Sequence, residues 1–307
     1  MSHSTSDPDG PVGQPVTVTA ALRDAVERLR AANATETPAL DAEVLLGHVT
    51  GLGRAQLRAY GERTLAPTEA EAFERLIERR LTREPVAYLT GHREFMGLDF
   101  LTDPRALIPR PETELLVEEA LKEIRARIEA GRVPLVADIG TGSGAIAVSI
   151  AAHEPRLPLV YATDVSPGAL ALAGENATRI GVAERVRCLW GDLLDSLPER
   201  VDVLLANLPY VAPRARTELP ADVERYEPAI ALYGAEEGLG HIRRFFTQAP
   251  EKLRRGATVI VEFGYDQRRA VDTLAHAAFP ECGIRFGTDY AGWDRYAVIQ
   301  TAPHPEV

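Results

Sequence analysis

From residue 113 onward, short and almost uninterrupted apolar runs alternate with amphipathic helical stretches, and no other feature restricts the fold as tightly. The apolar runs lie at 133–139, 159–163, 186–189, 201–206 and 258–263. Helical patterns at 115–128, 145–152, 167–180, 238–253 and 266–278 separate or flank them. Strands that are apolar on both faces must be covered on both faces, which implies a parallel sheet between helical layers. Two further runs, 284–288 and 296–300, read as an antiparallel pair. The expectation is an α/β, Rossmann-like, doubly wound sheet of about seven strands over residues 113–307.

Residues 17–84 follow a different rule. Leu22, Ala25, Val26 and Leu29 recur at helical spacing. Thr37-Pro38 reads as an N-cap with proline at the first helical position, and Gly51 as a stop. Thr68 and Glu71 read as a capping box ahead of Phe73, Leu76, Ile77 and Leu81. Three or four helices are expected to form a small bundle. Residues 85–112 carry short alternating apolar segments and Pro109 and Pro111, which predicts a β-hairpin connector running extended into the next helix.

Residues 1–16 hold Ser2, Asp7, Asp9 and Pro11 and no apolar stretch, so they read as a disordered tail without a secretory signal. No run approaches the roughly 18 apolar residues of a membrane span, so the expected compartment is the cytoplasm. The formal net charge of −11 argues against direct binding of nucleic acid, which needs a basic surface. The two cysteines, Cys188 and Cys282, fit buried thiols in apolar runs.

Asp138, Ile139, Gly140, Thr141, Gly142, Ser143, Gly144 and Ala145 follow the first strand of the sheet and open a helix. Glycines let the chain turn sharply and let a ligand approach the main chain. Asp164 ends the next strand, at the spacing of an acid that accepts both hydroxyls of a ribose. A nicotinamide dinucleotide fold tolerates the same glycines. A P-loop is excluded because no Gly-Lys-Ser/Thr follows. S-adenosylmethionine also fits: it has no pyrophosphate to cradle, Asp138 suits its ammonium, and Gly191, Asp192 and Leu193 suit an adenine edge and face. A tight turn without a ligand is the plain structural alternative.

Asn207-Leu208-Pro209-Tyr210 stands directly after the fourth strand, at the same carboxyl edge, and favours S-adenosylmethionine. An amide or exocyclic amine nitrogen is hard to methylate because its lone pair is delocalised. A site helps by accepting both N–H groups and holding the nitrogen towards the methyl. The Asn207 side-chain oxygen is one acceptor and the Leu208 main-chain carbonyl a second. Pro209 stiffens the turn, and the Tyr210 ring stacks on the planar group. This is positioning and electrostatic preorganisation, with no strong general base. A capping Asn with a packed Tyr is the structural alternative, and a nicotinamide oxidoreductase leaves the turn unexplained.

Over about residues 20–301 the chain resembles the peptide-chain-release-factor glutamine methyltransferases. The marks are Gly91-His92-Arg93-Glu94-Phe95, Ile108-Pro109-Arg110-Pro111-Glu112-Thr113-Glu114, the turn 138–144, Glu227-Pro228, Glu262-Phe263-Gly264-Tyr265-Asp266-Gln267 and Asp289-Tyr290-Ala291-Gly292-Trp293-Asp294-Arg295. The resemblance implies a helical substrate-recognition domain at 17–84 and a seven-stranded class I methyltransferase domain at 113–307. It implies methyl transfer from S-adenosylmethionine, leaving S-adenosylhomocysteine, to the side-chain amide nitrogen of the glutamine in the Gly-Gly-Gln tip of class I release factors. Its cofactor contacts would be Asp138, Gly140, Thr141, Gly142, Ser143, Gly144, Asp164, Asp192, Leu193 and Asn207. Asn207, Leu208, Pro209 and Tyr210 would hold the glutamine. A monomer without metal or membrane contact is expected.

One departure is that the family usually has Asn-Pro-Pro-Tyr where this chain has Leu208. The implied contact there is a backbone carbonyl, so activity is expected to survive with a looser turn. The spelling Asn-Leu-Pro-Tyr is typical of ribosomal-RNA adenine dimethyltransferases, but those carry their extra helices after the sheet domain and need a basic surface. A non-catalytic S-adenosylmethionine-binding paralogue, or one acting on another protein glutamine, remains a further alternative. The seven histidines show no metal-ligand spacing. Glu112, Glu114, Glu118 and Glu119 fit a solvated helix start, with a site-lining role open for Glu112 alone. Arg225 and Glu227 are expected to order a mobile loop over 211–235.

Overall fold

The computed structural model describes residues 16–302, so residues 1–15 of the expected tail lie outside the described residues. Val16 itself accepts a backbone hydrogen bond from Leu65. The chain divides into two compact units, Met1–Thr90 and Gly91–Val307.

The first unit is helical: α1 (Val18–Ala31), α2 (Pro38–Thr50), α3 (Arg54–Ala59), α4 (Pro67–Leu81) and α5 (Val86–Thr90). Thr17 caps α1 by accepting from the Ala20 N–H, and Gly51 ends α2 in the left-handed region. Thr37 occupies the N-cap of α2 ahead of Pro38 as expected, but its side chain accepts no cap bond and its hydroxyl donates to Asp41 instead. The capping box is also displaced. Proline lacks an N–H and suits the first helical position, so α4 starts at Pro67 and Glu69, not Glu71, accepts the Ala66 N–H at 2.8 Å. Leu29, Leu45, Leu46, Phe73 and Ile77 form the core. Inside it Arg80 donates to Asp41 at 2.8 Å, with both side chains buried.

Residues 86–90 are helical, not extended. The Pro85 carbonyl accepts from the Tyr88 and Leu89 N–H groups, and Leu89 packs into the helical core. The hairpin is confined to β1 (His92–Phe95) and β2 (Leu98–Leu101), joined at Met96 and Gly97, both with positive φ. After it come α6 (Glu114–Glu129), β3 (Val136–Ile139), α7 (Ala145–His153), β4 (Val160–Asp164), α8 (Pro167–Arg179), β5 (Val186–Trp190) and β6 (Val201–Ala206). Two short helices, α9 (Ala221–Tyr226) and α10 (Ala229–Leu232), break up the segment expected to be a loop. The chain continues through α11 (Gly240–Lys252), β7 (Leu253–Glu262), α12 (Arg268–Ala278), β8 (Gly283–Thr288) and β9 (Asp294–Gln300).

The sheet order is β5-β4-β3-β6-β7-β9-β8. The first five are parallel and β8 and β9 pair antiparallel, as the apolar runs predict, and β9 also joins β7 antiparallel. Alternate strand residues serve opposite cores. Val136, Val160 and Val203 pack with α6 and α7, whereas Ala137, Leu204 and Val259 pack with α11 and α12. Helix α7 is buried from Ala145 to Ala151, consistent with its being apolar all round. The sheet grows outward from β3 in two directions, through β4 on one side and β6 on the other. The crevice where crossovers part, at the carboxyl ends of these strands, is where doubly wound sheets place ligands.

Two local expectations change. Glu119 is not a solvated helix residue; it is buried and accepts from Lys122 and Arg285. Cys282 lies in the turn before β8, and both cysteines are free and half-buried.

Candidate active site

At the carboxyl edge a cavity of about 300 Å³ opens. It is lined by Gly140, Thr141, Gly142 and Ser143 after β3, Asp164 after β4, Asp192 and Leu193 after β5, and Asn207, Leu208 and Pro209 after β6. The glycine turn and the Asn-Leu-Pro segment therefore share one wall. Each lies directly after an apolar strand, and β3 and β6 are neighbours in the sheet. The two meet closely: a Cβ on Gly140, which has φ +71°, would stand 3.0 Å from Leu208 Cδ2. The side chain of Leu208 thus packs behind the turn.

Asp164 is held from below by two backbone donors. Gly142 N–H gives to its Oδ2 at 2.9 Å and Ser166 N–H to its Oδ1 at 2.8 Å. Burial raises its pKa while those donors oppose the rise. Each oxygen keeps a lone pair for a hydroxyl donor in the cavity. Asp192 is half-committed, since Arg244 donates to it. Burial and the Arg244 charge both lower the pKa of the neighbouring His241.

Three predicted site residues do not reach the cavity wall. Asp138 is fully buried behind the turn, where its Oδ2 accepts from the Thr141 hydroxyl at 2.6 Å and the Ala147 N–H at 3.3 Å. Its Oδ1 has no partner, and burial pushes the carboxyl up to about 7. Gly144 faces away, against α8: a Cβ there would meet Ala173 Cβ at 3.0 Å. Tyr210 lies behind Pro209, with its hydroxyl donating to Glu262 at 3.3 Å and its carbonyl accepting from Gln267. Burial and the charge of Glu262 raise the tyrosine pKa.

Other functional residues emerge only in three dimensions. Asn207 Nδ2 donates to Thr113 Oγ1 at 3.0 Å, and Thr113 Oγ1 donates to Glu262 Oε2 at 2.8 Å. Glu262, at the end of β7, is buried, and that burial pushes its carboxyl up to about 7 against the opposing pull of Thr113, Arg295 and Tyr210. Thr113 lines the cavity, whereas Glu112 next to it does not. Glu227, equally buried, accepts from the Ile108 N–H at 3.1 Å and from the Arg110 guanidinium. Burial raises its pKa, with Arg110 opposing. The bond ties the 102–113 segment to the 211–235 segment, and Ile108, Arg110, Pro228 and Ile230 all line the cavity. Glu227 is expected from the sequence to order the 211–235 segment; for Thr113, Arg110 and Glu262 the only sequence signal is their place inside the quoted motifs. Among the described residues no cluster of His, Cys, Asp or Glu could hold a metal ion, and no helix is long and apolar enough to cross a membrane.

Comparison with known proteins adds a name to this geometry. Residues 20–91 match the family description "PrmC N-terminal domain", and residues 112–222 match "Methyltransferase small domain". The release factor glutamine methyltransferase of Moorella thermoacetica is 46% identical over 281 residues, covering 91% of this chain and 97% of that one. Its namesakes in Bordetella pertussis and Cereibacter sphaeroides are 44% and 41% identical, over 81% and 84% of this chain and 88% and 89% of theirs. Among solved structures, the hMettl16 catalytic domain bound to a 3′UTR hairpin superposes with a TM-score of 0.53. It is 16% identical and covers 74% of this chain and 83% of that one, which shows the shared fold alone.

Proposed function

We propose, for a chain that belongs to the release factor glutamine methyltransferases, that this cavity is where the reaction of that family takes place. The activity is S-adenosylmethionine-dependent methylation of a release factor glutamine. The acceptor would be the side-chain amide nitrogen of the Gly-Gly-Gln tip, and the product S-adenosylhomocysteine. We take the protein to act in the cytoplasm as a monomer, on class I release factors and without direct contact to nucleic acid.

One observation carries the assignment: the glycine turn with Asp164, and the Asn207–Pro209 segment, line the same cavity. The residues present fit the cofactor. Gly140 and Gly142 leave the main chain bare on the wall, and Asp164 offers a carboxylate held in place by backbone donors. Leu193 supplies an apolar side beside them. When bound, the cofactor supplies an electrophilic methyl on a sulfonium. Gly140, Thr141, Gly142, Ser143, Asp164, Asp192, Leu193 and Asn207 would hold it. We assign Asp138 and Gly144 to holding the turn, because neither reaches the wall.

The chain's own chemistry is placement. Asn207 Oδ1 and the Leu208 carbonyl would accept the two N–H groups of the substrate amide. Pro209 fixes the turn that presents them. Tyr210, anchored on Glu262, would support that turn from behind, in place of stacking on the substrate. Acceptors aimed at both N–H groups draw density towards the nitrogen and hold it in line with the methyl. The Leu208 side chain packs against the glycine turn, and the contact assigned to this position uses the main-chain carbonyl, which leucine has as proline does.

The test is methyl transfer from labelled S-adenosylmethionine to a purified release factor, beside a substrate with Gln→Ala in its Gly-Gly-Gln tip. Label on the first alone supports both reaction and acceptor. Label on neither, with cofactor binding intact, rejects the substrate.

A further inference from the structure

We propose that Thr113 and Glu262 are positioning residues that decide which way round the Asn207 amide sits, so that its oxygen, not its nitrogen, faces the cavity. The proposal rests on reading Asn207 as an acceptor for the substrate amide.

The two ends of an Asn side chain are nearly equal in size, so packing alone does not select between them. Hydrogen-bond polarity does. Glu262 presents Oε2 to Thr113 as an acceptor, and the distance of 2.8 Å commits the only hydroxyl proton of Thr113 to it. What Thr113 then turns towards Asn207 is a lone pair. Only the NH₂ end of Asn207 satisfies a lone pair, and it is seated there at 3.0 Å. The reversed amide would set two oxygens against each other with no proton between them.

Glu262 is 2% exposed and Thr113 5%, so the bond between them is shielded from bulk water and the hydroxyl proton stays committed to the carboxylate. The second carboxylate oxygen accepts from the Tyr210 hydroxyl. That bond ties the last residue of the Asn-Leu-Pro-Tyr turn to the same anchor as its first. A neutral Glu262 with its proton on Oε1, donated to the Tyr210 hydroxyl oxygen, keeps Oε2 as an acceptor, so the polarity at Thr113 survives protonation there. Asn207 Oδ1 takes no hydrogen bond from any described residue and is left for a donor in the cavity. An acceptor at this point suits an N–H; a flipped amide would present two donors to two donors.

Thr113→Val keeps the shape and removes the hydroxyl, whereas Thr113→Ser keeps the hydroxyl. With a release factor as substrate, Thr113→Val is expected to lower kcat/KM by ~10- to 100-fold while the Kd for S-adenosylmethionine stays within about twofold. Thr113→Ser is expected to recover most of the loss. Wild-type kcat/KM in Thr113→Val overturns the proposal. So does an equal loss in both variants, since the fit of the side chain and not its proton would then matter. A second reading needs no substrate: the Asn207 side-chain NH₂ signals of the labelled protein should lose exchange protection in Thr113→Val and keep it in Thr113→Ser. Unchanged protection overturns the relay. A wild-type protein that methylates no release factor instead rejects the substrate assignment, and the exchange measurement still judges the relay.

Discussion

Gly144→Ala isolates a purely structural role inside a motif that reads as a ligand-binding turn. Gly144 has φ +81°, a left-handed conformation that costs an alanine about 1–2 kcal/mol. The added methyl would also stand 3.0 Å from Ala173 Cβ, 3.1 Å from Ala173 Cα and 3.2 Å from Val148 Cγ2. All three atoms belong to fully buried residues, Val148 of α7 and Ala173 of α8, so the helices must move apart, at about 1–3 kcal/mol. The stiffer unfolded chain returns about 0.4–1 kcal/mol. The net loss is roughly 2–4 kcal/mol, and for a unit of this size Tm falls by roughly 5–15 °C. Calorimetric melting reads that shift, and titration with S-adenosylmethionine well below both transitions should find nearly unchanged affinity. Adding Ala173→Gly removes the Cβ contact but leaves the backbone Cα, Val148 and the strained φ, so the pair should couple favourably by only about 0.5–1 kcal/mol. A variant that melts with the wild type would refute this reasoning, and lost cofactor affinity at unchanged Tm would show instead that Gly144 faces the ligand.

Asn207→Ala should lower methylation of a release factor by ~10²–10³-fold, while cofactor affinity, still carried by the glycine turn and Asp164, falls far less, measured by turnover and calorimetry side by side; normal turnover removes Asn207 from the acceptor role. Asp138 keeps a proton in the folded state up to about 7, against an ordinary value of 3.8, so the folded protein binds more protons than the unfolded one between those limits. Its contribution to stability is therefore present in acid and is lost as pH rises through that window, then levels off. Urea denaturation from pH 5 to 8 should show a shallower decline in Asp138→Asn, and an unchanged slope would contradict the burial argument. In the helical unit, Asp41→Ala leaves the buried Arg80 guanidinium without its carboxylate, with the Glu84 carbonyl still accepting from it, and should cost about 3 kcal/mol. Hydrogen exchange over α2 and α4 of the full chain reads that loss, and wild-type protection there would rule it out.

Much of the site was legible because its parts are local. The turn 138–145 announces itself by glycines between an apolar strand and an apolar helix, and Asn207 by its position one residue past a strand. Local rules also misled where two of them competed. Pro67 displaced the cap expected at Thr68, and Pro85 nucleated a helical turn where alternation suggested a strand. Asp138 read as a ligand contact because it precedes the glycines, yet strand alternation and the path of the turn bury it behind them.

The parallel sheet between helical layers, its antiparallel terminal pair and the approach of two motifs to one edge follow from the periodicity of the sequence, because each apolar run can be buried in few ways; the strand order comes from the tertiary structure. Which side chains complete the site does not follow. Thr113 meets Glu262 across 149 residues, and Arg110 meets Glu227 across 117. Those partnerships depend on where two distant segments stop against the same sheet edge. A hydrogen bond needs placement to within a few tenths of an ångström, which periodicity does not encode and which packing of the whole unit supplies.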